Sequence, residues 1–155
     1  MTRAAPRATS PRPRRKAAPQ GYVLEEQVGF ILRQVSQRHS TIFAERIGGG
    51  LTPTQWAALA KLQETGACSQ NQLGRYTAMD VATIKGVIDR LTARGLTETG
   101  PDPQDARRLL VSLTKVGQAL VEKETPNAVA ISEATLAPLA PKEREIFLEL
   151  LARLR

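Results

Sequence analysis

A chain of 155 residues with 22 bases, 15 acids and one cysteine is long enough for one domain with its own apolar core and carries no intrachain disulfide. One histidine, one cysteine, no paired metal-ligand spacing and no phosphate-cradling glycine loop exclude the usual catalytic, metal and cofactor constellations, so no enzyme is expected. No apolar run approaches the roughly 20 residues of a membrane span, and no secretory signal core is present; a cytoplasmic protein without a membrane partner is expected.

The net charge of +7 is unevenly placed. Residues 1–20 hold Arg3, Arg7, Arg12, Arg14, Arg15 and Lys16 with no acid, which leaves 16 bases against 15 acids in the remainder. The same segment contains Pro6, Pro11, Pro13 and Pro19 and no Leu, Ile, Val or aromatic residue, so it is expected to be disordered. It serves either as an arm for nucleic-acid phosphates or as a solubilising tail. The first use admits a second class of function, a non-specific architectural nucleic-acid-binding protein acting through its basic tail, with steep salt dependence. Residues 21–155 are expected to form a single domain.

Leu24, Val28, Ile31, Val35 and Ile42, widened by Val23, Phe30 and Phe43, predict a helix over residues 22–47 buried on more than one side. Gly48-Gly49-Gly50 ends it. Thr52-Pro53-Thr54-Gln55 opens a second helix with a cap, a first-turn proline and a capping box; Trp56, Leu59, Ala60 and Leu62 face inward, and Gly66 stops it. Ser69-Gln70-Asn71-Gln72 repeats the capping-box pattern and starts a short helix with Leu73 and Tyr76 inward. After a tight turn at 77–79, a fourth helix begins near Asp80, buries Val81, Ile84, Val87, Ile88 and Leu91, and stops at Arg94-Gly95. Residues 96–100 and 107–114 pair as a hairpin, with Pro101 and Pro103 barring pairing at its tip. Thr114 caps a long fifth helix, interrupted or kinked at Pro126. Pro141 marks the start of the last, striped by Ile146, Phe147, Leu150, Leu151 and Leu154.

Two short helices joined by a turn and followed by a basic hairpin form a winged helix-turn-helix. That unit puts one helix in the major groove of double-stranded DNA and an arginine in a neighbouring minor groove. The fold class is therefore mainly α with a small β-hairpin wing.

Asp105-Ala106-Arg107-Arg108-Leu109-Leu110-Val111-Ser112-Leu113-Thr114 resembles the wing pattern of the MarR family of bacterial transcription regulators: Asp-x-Arg, a short spacer, then Val-x-Leu-Thr. Leu51-Thr52-Pro53-Thr54-Gln55-Trp56 resembles the start of that family's second helix. Val87-Ile88-Asp89-Arg90-Leu91-Thr92-Ala93-Arg94-Gly95-Leu96 resembles the exit of its recognition helix. The likeness runs from about residue 22 to 154. It implies a homodimer joined through helices over about 22–47 and 115–155, with a DNA-binding part over about 51–114. It also implies repression at a pseudo-palindromic operator, relieved when a small molecule binds between the two parts. Family effectors include phenolic or aromatic carboxylic acids and, for some members, their coenzyme A thioesters. The proline-rich tail and Ala140, where a capping Ser or Thr is usual, depart from the pattern.

On the fourth helix Thr83, Lys85 and Gly86 are the expected base readers, while Arg90 and Arg94 suit phosphates or pair with Asp89 and the wing acids. Gly86 costs about 1 kcal/mol relative to alanine, which close approach to DNA or simple tolerance of an exposed glycine explains. Ser69, Gln70 and Asn71 offer a helix amide end to a phosphate. The resemblance assigns Arg107 to the minor groove; Arg108 reaches backbone or groove, and Asp105 orients Arg107. For the effector, His39, Phe43, Trp56 and Leu59 are candidate lining residues and Arg38, Arg46 and Lys61 candidate attractors of an acid. A structural role remains open for His39. Arg33, Arg38 and Arg46 leave room for a thioester's phosphates. Cys68 has no adjacent base to activate it, so a thiol switch is not expected.

Overall fold

The computed structural model describes residues 21–155; the expected disordered arm over 1–20 lies outside the described residues. Contacts divide the chain into two compact units, one ending at Gln34 and one spanning Val35–Arg155. The elements are a single 3-10 turn (Leu24–Glu26), then α1 (Val28–Arg46), α2 (Pro53–Thr65), α3 (Gln70–Tyr76), α4 (Val81–Ala93), β1 (Thr97–Asp102), β2 (Asp105–Leu113), α5 (Lys115–Leu136) and α6 (Pro141–Ala152). This is the expected order of four helices, a hairpin and two helices.

The first helix starts later than its apolar stripe predicts. Gln27 is extended (φ −82°, ψ 129°), separating the 3-10 turn from α1. In the first unit Leu24, Val28 and Ile31 are exposed rather than buried, Val28 at 67%. In the second unit Val35 is also exposed; Phe43 and Ile47 are the residues of this stretch that enter the core.

That core gathers the inner faces of α2, α3, α4, β2 and α5. Leu59, Leu73, Ile84, Val87, Leu91 and Ile131 are all at most 2% exposed. α2 carries the full predicted capping box: Thr52 Oγ1 accepts from the Gln55 N–H at 3.3 Å, and Gln55 Oε1 accepts from the Thr52 N–H at 3.1 Å. Gly49 and Gly50, at φ +67° and +59°, supply the left-handed turn between α1 and α2.

Two expectations about prolines are corrected. Pro101 does not bar pairing: it stands opposite Leu109 in a ladder running from Thr97↔Leu113, and the register slips only between Pro101 and Asp102. In a two-stranded ribbon every strand is an edge, so a missing N–H can face outward without breaking the ladder. Nor does Pro126 interrupt α5, which runs unbroken from Lys115 to Leu136. The carbonyl that Pro126 cannot serve belongs to Glu122, an exposed residue, so water can satisfy it.

The wing root is tied to the body by a bridge that sequence patterning did not predict. Cys68 N–H donates to the Val111 carbonyl at 3.1 Å and Val111 N–H to the Cys68 carbonyl at 2.9 Å. At the other end of β2, Thr114 caps α5 by accepting from the Gly117 N–H at 3.0 Å and donates its hydroxyl to the Gly95 carbonyl at 2.7 Å. Gly117 lies against the Leu96 carbonyl, and a Cβ there would overlap that oxygen. α6 contributes no buried residue; Ile146, Leu150, Leu151 and Leu154 are exposed and Phe147 half-buried. Ala140 offers no side-chain cap, and Glu143 Oε2 accepts from its N–H at 2.7 Å instead.

Glu124 on α5 is a buried carboxylate, 1% exposed. It accepts from Asn127 Nδ2 at 2.8 Å and from the Gly48 N–H at 2.7 Å, and these bonds hold its carboxyl below the ordinary carboxylate range. A value depressed by folding stabilises the protein above the unfolded value, and that stabilisation is lost as pH falls through the folded one. Glu124→Gln is expected to flatten the loss of thermal stability below about pH 4.5. Melting curves across an acid series test this; an unchanged acid limb would assign the sensitivity elsewhere.

Candidate nucleic-acid interface and ligand cleft

α3 and α4 approach closely because residue 74 has no side chain. Gly74 is buried, and a Cβ there would sit 3.1 Å from the Met79 carbonyl and 3.2 Å from Ile84 Cγ2. The connecting turn places Ala78 at φ +52°, a conformation rarely taken outside glycine. Ser69 caps α3 singly, accepting from the Gln72 N–H at 3.3 Å. The expected reciprocal bond is missing because Gln72 Nε2 donates to the Tyr76 hydroxyl at 2.8 Å. Tyr76 is accordingly exposed rather than inward.

Asp80 caps α4 with both oxygens. Oδ1 accepts from the Thr83 N–H at 2.8 Å and Oδ2 from the Thr83 hydroxyl at 2.7 Å. The backbone N–H of Thr83, followed by its hydroxyl, lowers the Asp80 pKa. Ile84, Val87, Ile88 and Leu91 pack inward as expected, whereas Val81, expected in the core, is 66% exposed. It is the first residue of the helix, and the inward row begins one turn later.

The outward flank of α4 brings together Thr83, Lys85, Gly86 and Arg90. Lys85 Nζ meets Asp89 Oδ2 at 2.6 Å. Both side chains are about 60% exposed, and such a pair is worth at most about 1 kcal/mol, so it opens readily to another anion. Arg94 is not part of this group. Its guanidinium donates to the carbonyls of Gly49 and Gly50, so its place is at the α1–α2 turn rather than with Asp89 or the wing acids. Ser69, Gln70 and Asn71 lie at the start of α3, with Asn71 exposed and the other two half-buried.

In the wing, Asp105 Oδ1 accepts from the backbone N–H of Arg107 at 3.1 Å, and Asp102 Oδ1 from that of Gln104 at 2.9 Å. Asp105 thus fixes the Arg107 main chain and makes no ion pair with its guanidinium. Arg107 and Arg108 are both exposed, and strand alternation assigns them to opposite faces of the hairpin.

The six candidate ligand residues separate into three places. His39, Phe43 and Trp56 line a cleft of about 150 Å³ with Ala128, Ile131 and Ser132 of α5. His39 Nδ1 lies 2.9 Å from Thr135 Oγ1, whose hydroxyl donates to the Ile131 carbonyl at 2.8 Å. That hydroxyl therefore accepts from Nδ1–H, and a neutral ring keeps its lone pair at Nε2. Arg38 and Arg46 line a different, open cleft of about 530 Å³ with Ile42, Glu133 and Arg144. Both are bound to α5: Arg38 Nη2 donates to the Ala134 carbonyl at 3.0 Å and Arg46 Nη1 to that of Ala130 at 3.4 Å. Pro138 explains the first, since it cannot give Ala134 its helical N–H. Leu59 lines neither cleft; it is fully buried in the core. Lys61 pairs with Glu64 at 2.6 Å.

A family model described as MarR family matches residues 49–108. The HTH-type transcriptional repressor NicR of Pseudomonas putida is 41% identical over 86% of this chain and 85% of its own length. The chain belongs to the MarR family. Its members are transcription regulators, and the winged-helix architecture is shared with solved structures. A probable transcriptional regulator from Pseudomonas aeruginosa is 57% identical, covers 86% of this chain and 100% of that one, and superposes with a TM-score of 0.84. Bordetella bronchiseptica BpsR, whose DNA binding is described as regulated by 6-hydroxynicotinic acid, is 43% identical over 86% and 96% of the two chains, with a TM-score of 0.81.

Within this MarR-family chain, Cys68 is 5% exposed, and burial pushes its thiol upward against the weaker effect of Thr65. Gly86 meets no backbone. A Cβ there would lie 3.6 Å from the Arg90 guanidinium, which is ordinary contact with a flexible side chain. Gly86→Ala is therefore expected to raise folding stability by about 1 kcal/mol, as denaturant unfolding would show. If the same variant binds operator DNA as well as the parent does, the glycine is not there for close approach. Sequence reading missed the α5 lining of the smaller cleft; its one signal is small residues, Ala128 and Ser132, four apart on an amphipathic helix.

Proposed function

We propose that this chain is a repressor that binds a pseudo-palindromic duplex as a homodimer and releases it when a single-ring aromatic carboxylate enters the His39–Phe43–Trp56 cleft. The observation that carries the reading is α4 itself. One flank is locked into the core by Ile84, Val87 and Leu91, and the other presents Thr83, Lys85 and Arg90 to solvent around a half-buried Gly86. A wing bearing Arg107 and Arg108 is fixed to the same body. Half-site centres should then lie about 34–36 Å apart or a multiple of that. In this reading residues 51–114 form the DNA-binding part.

Self-association is supported by uncovered apolar side chains. Val28, Ile31 and Leu32 in the first unit and Ile146, Leu150, Leu151 and Leu154 in the second are each at least 39% exposed. Such faces on a soluble chain belong against another surface, and helices over 22–47 and 115–155 are the dimerising part.

The cleft's size favours an acid over its coenzyme A thioester. A lined cavity of about 150 Å³ accepts one benzene-sized ring. BpsR's regulation by 6-hydroxynicotinic acid supports a ligand of that size, and the His39 ring, bonded through Nδ1 to Thr135, leaves Nε2 for a ring hydroxyl or carboxylate of the ligand. Fluorescence anisotropy on the upstream duplex tests the proposal, with a scrambled duplex as control. Selective binding relieved by 6-hydroxynicotinic or 4-hydroxybenzoic acid supports it. A monomer at micromolar concentration that binds both duplexes alike would overturn it, and would favour the basic arm as the binding element.

A further inference from the structure

The start of α4 presents an apolar side chain that folding does not use. Val81 is 66% exposed and is followed by the exposed Ala82, while the inward row of the helix begins at Ile84. Helix stability gives no reason for valine here, since a β-branched residue is a poor helix former. The polar side chains of the same turn are already engaged. The Thr83 hydroxyl donates to Asp80 Oδ2 at 2.7 Å, and Asp80 Oδ1 accepts from the Thr83 N–H at 2.8 Å. One turn on, Lys85 pairs with Asp89, a weak exposed pair suited to exchange for a phosphate. What protrudes uncommitted at the end that meets base edges is an isopropyl group, held stiffly by its branched Cβ.

We propose that Val81 is a specificity residue that contacts the C5 methyl group of a thymine in each half-site. This rests on the DNA-binding reading above. Thymine is the only base that presents a methyl group in the major groove, and apolar contact is how that group is read. A valine against it buries both methyl surfaces without needing a donor or acceptor. The same turn carries the Asp80 carboxylate, which meets acceptor-rich guanine edges unfavourably. The local chemistry therefore selects thymine by contact and disfavours guanine by charge.

The test uses the full chain and a duplex selected by it from a random library. Each thymine of both half-sites is replaced in turn, symmetrically, by uracil, which keeps base pairing and deletes the methyl group. Wild-type protein is expected to lose affinity about fourfold per half-site at one thymine position, the worth of roughly one buried methyl group. Val81→Ala is expected to bind the all-thymine duplex more weakly and to lose nothing further at that uracil, with a melting temperature no lower than the parent's because the side chain is exposed and alanine is the better helix former. Val81→Thr, which keeps the shape, should retain most of the discrimination. Identical uracil profiles for wild type and Val81→Ala would overturn the proposal while leaving DNA binding intact. Failure of the library to yield any preferred duplex would overturn the DNA-binding reading, and this inference with it.

Discussion

Gly117→Ala is expected to lower the thermal midpoint by roughly 5 °C. Two effects oppose each other at this position. Alanine in a helix gains about 1 kcal/mol over glycine, and Gly117 lies in the first turn of α5, where that gain applies. Against it stands the Leu96 carbonyl: an added Cβ would overlap the oxygen, stand 3.0 Å from the carbonyl carbon and 3.4 Å from Leu113 Cδ2. These are main-chain atoms and a β2 side chain, not the loose end of a flexible group. Leu96 is held from both sides, its N–H donating to Leu91 and its carbonyl accepting from Thr114. Overpacking of this kind costs about 1–3 kcal/mol and more where backbone must move, so the overlap wins. Differential scanning calorimetry of Gly117→Ala beside Gly86→Ala gives an internal control, because the second glycine has room. Equal midpoints for the two variants would show that the β2–α5 corner relaxes freely.

Arg107→Ala is expected to weaken operator binding about a hundredfold with no change in melting temperature. Each groove contact of this type is worth about 1–3 kcal/mol, and a two-wing dimer makes it twice. Asp105 positions the Arg107 backbone without touching the guanidinium, so the charge is held at a defined place and remains available. Strand alternation assigns Arg108 to the opposite face, where it is expected to serve as a phosphate contact. Arg108→Ala should weaken all duplexes alike and reduce the salt slope by about one per wing. Anisotropy titrations at several salt concentrations separate the two outcomes. Tight, selective binding by Arg107→Ala would remove the wing from the interface.

Local pattern recorded the helices well where the apolar period met a capped start. Thr52 and Thr114 cap as their sequence context predicts, while Ser69 caps without the reciprocal half of its box. The period fails where burial depends on something other than the helix's own turn. Val81 continues the α4 stripe by spacing but lies on its first, solvent-facing residue, and Tyr76 turns outward to bond Gln72. Val28 and Ile31 read as core yet are exposed in the described chain; composition cannot say which surface covers an apolar stripe. Proline rules misled twice for one reason: each proline stands where its missing N–H costs little. The lining of the smaller cleft was half legible. Aromatics on α1 and α2 meet as expected at the smaller cleft. The arginines do not join them, because their side chains reach instead to the α5 carbonyls of Ala130 and Ala134, the second lacking its usual helical donor at Pro138.

Arg94 ends α4 by reaching across to the carbonyls of Gly49 and Gly50, and Glu124 holds the N–H of Gly48 in the same turn. The consequence falls on anyone wishing to rewire such a regulator. The outward residues 81–83, 85 and 86 are expected to exchange for those of another family member around a retained Ile84, since their polar side chains bond only among themselves and to Asp80 and Asp89, whereas Ile84 belongs to the core. A transplant extended through residue 94 severs the anchor, and must carry the three glycines and their acidic partner along with it.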